Sequence, residues 1–168
     1  MISTAAKTEG LTHGKTLRAR NLFEAEVIQE INARIVRLRP ESEGLWGEMN
    51  PAQMLAHCSA AMEMAMGKIA EPRVFLGRLL GPLAKRSIIA NGKPIRRNAP
   101  TAQCYVVKRE CDFEAERQRL RASIGRFVAG GPAGCAKQPH WFFGPLTAEE
   151  WSVLMYQHLD HHLRQFGV

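Results

Sequence analysis

The sequence predicts an all-α protein: a four-helix bundle with a long crossover, carrying an extra short helical segment, between its second and third helices. Three observations predict it. Four stretches repeat apolar residues at spacings of three to five. No stretch reads as a strand with an evident partner. Two of the helical stretches are separated by about forty residues, too many for a tight hairpin.

Taken in order, residues 1–16 are small and polar and are expected to be flexible, with one domain over 17–168. The first helix is expected over 17–38, where Leu22, Val27, Ile31, Ile35 and Leu38 recur with charges between them, and Pro40 ends it. The second is NPAQMLAHCSAAMEMAMGKI, with Asn50 as N-cap, Pro51 at the first helical position and Gly67 near the end. Its small residues (Ala56, Ser59, Ala60, Ala61) suit close helix neighbours. VFLGRLLGPLAKRSII reads as a broken helix with Gly81-Pro82 as the break. Residues 91–111 read as an extended connector, although CYVVKREC has strand-like propensity. The third helix begins at Asp112 as N-cap, with Glu114 and Glu116 in its first turn, and stops at Gly130-Gly131-Pro132. The fourth opens on the capping-box pattern of Thr147 and Glu150 and runs to about Phe166.

Composition removes several function classes. The longest apolar run is interrupted by Arg78, Gly81, Pro82 and Lys85, so no membrane partner is expected. The opening residues lack an apolar signal core, and a cytoplasmic location is the default expectation. Cys58, Cys104, Cys111 and Cys135 form no CxxC pair and read as reduced, mostly buried thiols. The net charge of +7 permits anionic partners, but its cations are scattered and no nucleic-acid motif accompanies them, so no nucleic acid is expected.

The chemistry concentrates in the histidines. His158 and His162 lie four residues apart on the apolar face of the fourth helix, and such a pair can reach one metal ion. His57, in the middle of the second helix, can add a third ligand from a facing helix. His161 sits beside them as a rim group, a supporting residue or a catalytic acid–base. Asp160 lies on the other side of the helix. The competing reading is a polar helix end, which explains His161 well but leaves inward His158 and His162 in need of buried partners. Three ligands leave an open coordination position, where a water or a thiol is activated as a nucleophile. Histidine suits Zn, Ni, Fe or Cu. His140, Trp141, Phe142 and Phe143 precede the fourth helix and read either as the wall of a substrate pocket or as a staple holding the loop. Arg96 and Arg97 read as solvated charges or a carboxylate site, and Glu63 is given no role. The FLGRLLGPL segment is a candidate face for a homodimer, or a cover for the bundle end.

NPAQMLAHC (50–58), HWFFGPLTAEEW (140–151) and YQHLDHHLRQFG (156–167), with the helix order, resemble the DinB/YfiT-like superfamily over residues 18–168. Within it, the chain is similar to an uncharacterised branch whose members carry an HLDHHLRQFG-like last helix after an FFGPLT-like loop. The resemblance implies a divalent metal on His57, His158 and His162, with Zn or Ni expected first and Fe next. It also implies thiol-dependent transferase or hydrolase chemistry with a small-molecule substrate or a low-molecular-weight thiol. The alternative is a non-catalytic bundle that binds a metal or a small ligand.

Overall fold

The computed structural model describes residues 19–99 and 101–168. Its five α-helices are α1 (Ala25–Arg37), α2 (Pro51–Ala65), α3 (Phe75–Lys85), α4 (Phe113–Gly130) and α5 (Ala148–Gln165). A π-helical turn, Arg86–Ala90, continues α3. Short 3-10 turns lie at Gln103–Tyr105 and Gly131–Gly134. There is no strand among the described residues, and the one isolated bridge joins His140 to Gly144.

Helix starts follow local chemistry. At α2, Asn50 Oδ1 accepts from Gln53 N at 2.9 Å and Gln53 Oε1 accepts from Asn50 N at 3.1 Å, a reciprocal cap ahead of Pro51. At α4, Asp112 Oδ1 accepts from Ala115 N at 2.7 Å. At α5, Thr147 and Glu150 cap each other reciprocally. Each cap satisfies amides that the first helical turn cannot.

The centre of the molecule is α2. All but Gln53 and Glu63 of its fifteen residues are buried. It packs on α4 along most of its length and on α5, while α1 packs on α5. Phe23, ahead of α1, stacks on Phe127 of α4 with ring centroids 5.3 Å apart. Arg34 ties α1 to α5: its guanidinium meets Asp160 Oδ1 at 2.7 Å and donates to the carbonyl of Val168 at 2.9 Å. Asp160 is thus engaged on the face of α5 away from the histidines. Glu63 pairs with Arg119 of α4 at 3.0 Å.

Two expectations need correction. The first helix begins at Ala25, not 17. Leu22 is buried ahead of it in a turn where Asn21 Oδ1 accepts from Phe23 N at 2.9 Å and Leu22 N reaches Ser152 O at 3.4 Å. Gly81-Pro82 does not break α3, which runs on to Lys85. Arg78 and Pro82 are both exposed, so water can serve the carbonyl that loses its donor. The connector read over 91–111 is without strand among its described residues, and CYVVKREC adds one short 3-10 turn to it. The N-terminal segment 1–16, expected to be flexible, lies outside the described residues.

Candidate metal centre

Two helices deliver the three imidazoles. His57 is on the α2 face toward α5, and His158 and His162 are one turn apart on α5. One ring nitrogen from each lies within 4.8 Å of the other two. His57 Nε2 and His158 Nε2 are 3.0 Å apart. The ring centroids stand 4.6 to 4.9 Å from one another.

The outer nitrogens of two rings have partners that set the proton positions. His57 Nδ1 is 3.0 Å from the carbonyl of Tyr105, which can only accept. The proton therefore sits on Nδ1, and Nε2 presents a bare lone pair to the cluster. His162 Nδ1 is 2.8 Å from Gln165 Oε1. The Gln165 amide is itself oriented, because its Nε2 donates to the carbonyl of Trp46 at 2.6 Å. His162 thus also turns a bare Nε2 inward. Gly47 leaves room for this relay: its φ is +79°, and a Cβ there would lie 2.6 Å from Gln165 Nε2. His158 Nδ1 has no hydrogen-bond partner among the described residues.

Burial lowers the pKa of all three rings. For His57 the desolvation outweighs the opposing Tyr105 carbonyl. For His158 desolvation is reinforced by His162 and His57. For His162 the value falls to about 3. All three are neutral near pH 7, the form a metal requires. Two nitrogens on one tetrahedral zinc ion stand ~3.3 Å apart given ordinary Zn–N lengths. The 3.0 Å His57–His158 approach is of that size. Without a cation it needs His158 to donate its Nε2 proton to His57. The donor set, the bare lone pairs and the spacing fit a divalent ion, and the group can hold one.

The cluster lies against a cavity of about 550 Å³ whose walls include Trp46, Gln53, Thr101, Lys108 and His161. His161 is half-buried, outside the three-nitrogen group, with its ring against Trp46 and His162. Burial also lowers its pKa, against the opposing pull of the Ile95 backbone and Asp160. A second, more apolar cavity of about 130 Å³ shares Tyr105 and His158 with the first and is lined by His140, Trp141, Phe142 and Phe143. These four residues also hold their own loop: His140 Nδ1 accepts from the backbone of Phe142 and Phe143 at 3.1 and 3.2 Å. These four residues thus line a cavity and also staple their own loop. Arg97 stacks over Trp46 at 4.2 Å and lines a neighbouring cavity, away from the three rings. Arg96 is exposed. Cys58 and Cys135 are buried, Cys104 and Cys111 half-buried, and all four are free.

Sequence reasoning did not find Tyr105, Gln165 or Trp46. Gln165 had a signal, since it follows His162 by three residues on the same helical face. Tyr105 and Trp46 act through backbone carbonyls, which no residue type announces.

Fold and site together define a protein whose described residues form helices and no strand, with a largely buried three-histidine group able to hold a metal ion. Residues 18–167 match the model of the family described as "Protein of unknown function (DUF1569)", and the chain belongs to that family. No curated protein and no solved structure matches it.

Proposed function

We propose that the protein is a DinB/YfiT-like metalloprotein: α1, α2, α4 and α5 as the four-helix bundle, α3 in the crossover, and His57, His158 and His162 as ligands of a divalent cation. Zn or Ni is the expected metal, with Fe next. One observation carries the reading: three neutral imidazole nitrogens, two held bare by their outer partners, lie within 4.8 Å of one another beside a cavity. A bound cation would supply the positive charge that lowers the pKa of a thiol or water brought beside it.

The residues around it do the rest. Tyr105 and Gln165 keep the protons of His57 and His162 on the outer nitrogens. His161, on the wall of the same cavity, takes the proton that the nucleophile gives up. The larger cavity admits a small polar molecule such as a low-molecular-weight thiol, and the aromatic branch at His140, Trp141, Phe142 and Phe143 receives an apolar part of the substrate. This arrangement supports thiol-dependent group transfer first and hydrolysis second. The expected setting is the cytoplasm. In keeping with it, no helix among the described residues is long and apolar enough to cross a membrane.

A second reading, a bundle that holds a metal or small ligand without turnover, draws on the sparse acid–base groups of the cavity: His161, Glu48, Lys108 and Tyr105 apart from the three rings. Elemental analysis of purified wild type beside His57→Ala and His158→Ala tests the site. One metal per chain, lost in both variants, supports it, and absence of metal after reconstitution with Zn or Ni refutes it. Thiol-dependent turnover in the loaded wild type then separates the enzyme from the binder.

A further inference from the structure

The packing of α3 is inverted. Its buried residues are Gly77 and Gly81. They lie on the backbone of Phe142, where a Cβ at Gly77 would come within 2.8 Å and one at Gly81 closer still. At about 100° per residue, Phe75, Leu76, Leu79, Leu80 and Leu83 form one stripe on the opposite side. That stripe faces outward, with Phe75 76%, Leu79 63% and Leu83 71% exposed. Scaling the exposed fractions of these residues and Val74 by ordinary side-chain areas gives on the order of 600 Å² of apolar surface, the upper end for a monomer.

From this face we infer that α3 is the interface of a two-fold homodimer, in which the α3 helices of two copies pack antiparallel about Leu79. Area favours a second copy of this chain. Pairing two such faces buries on the order of 1,200 Å², where stable interfaces begin. The stripe contains no charge; Arg86 follows its C-terminal end, and Glu71, ahead of its N-terminal end, accepts from the Cys104 amide at 2.8 Å within its own chain. Antiparallel pairing about the middle of the stripe keeps the two Arg86 side chains at opposite ends, and it also opposes the helix dipoles favourably. Parallel pairing would set Arg86 against Arg86. A lipid surface fits less well. Lys85 is engaged by Glu150 at 2.8 Å and by the Pro145 carbonyl at 2.9 Å, and Arg73 by the Gly77 carbonyl at 3.4 Å, which leaves only Arg78 and Arg86 for headgroups. Because α3 rests on Phe142, the same pairing would clamp one wall of the apolar branch beside His158. The inference does not depend on the metal.

Sedimentation velocity of the full chain at tens of micromolar tests it. Wild type should sediment as two 18.8 kDa chains, and the Leu79→Glu/Leu83→Glu variant as one, with unchanged helical circular dichroism because both residues are exposed. A second variant avoids the added charges: Leu79→Cys should form an oxidised, disulfide-linked dimer, whereas Val36→Cys, exposed on α1, should not. A monomeric wild type, or a dimer that persists in the double variant without Leu79→Cys cross-linking, would overturn the inference. So would a monomer that co-sediments with phosphatidylglycerol vesicles, which would assign the face to lipid.

Discussion

Helices α2 and α3 break the usual rule of burial in opposite directions. α2 is buried almost all round and carries an imidazole into the core, where it meets two more. α3 buries two glycines and turns its leucines outward. Each departure leaves surface chemistry unsatisfied within the single chain. Three bare or weakly paired ring nitrogens could hold a cation, and the leucine stripe is free to meet another apolar face. On the two readings proposed above, the chain keeps a site for a small charged ligand apart from a site for a second copy, with Phe142 in contact with α3 and on the wall of the apolar branch.

The largest contrast is in stability. Leu55 of α2 is fully buried, so Leu55→Ala should destabilise the chain by about 2–5 kcal/mol. At concentrations too low for the inferred dimer to form, Leu79→Ala on α3 should change it by no more than about 0.5 kcal/mol. Urea unfolding of the two variants under those conditions measures both. Equal losses there would mean that α3 is buried in the monomer and would break the comparison.

Next comes the relay behind His162. Removing Gln165, as Gln165→Ala, frees the His162 ring and should weaken metal affinity by about 10–100-fold, as is usual for partners behind a ligand. Gly47→Ala, which crowds the same amide, should act in the same direction. Competition with a chelating dye reads both.

The pH dependence of the metal-free chain sharpens the picture of α5 and its loop. Burial holds the folded pKa of His162 and His140 down near 3, while an unfolded histidine titrates near 6.5. Between those values the unfolded state binds protons that the folded state refuses. Stability is therefore present above about pH 6.5 and falls as the pH drops toward 3, by up to about 1.4 kcal/mol per unit for each group. Urea midpoints at a series of pH values should show this slope, and His162→Gln should flatten it.

The sequence made some of this legible. Helix starts were readable because caps are local: Asn50 with Pro51, Asp112, and Thr147 with Glu150 announce themselves within four residues. The start of α1 was not, because Leu22 keeps the helical period while a turn and a contact with Ser152 hold it outside the helix. The passage of α3 through Gly81-Pro82 depends on which way each residue faces, and that is set by Phe142, sixty-odd positions on. The placing of His57, His158 and His162 together followed from spacing and face. Their proton positions did not, since one rests on the carbonyl of Tyr105 at the end of a short 3-10 turn and another on an amide oriented by Trp46.

The most direct test of the central claim is a calorimetric titration of zinc into chelator-treated protein, wild type beside His57→Ala. The account predicts one ion per chain in the wild type and no binding in the variant, with both proteins folded by circular dichroism. A wild type that takes up no ion, or a variant that binds as the wild type does, would contradict it.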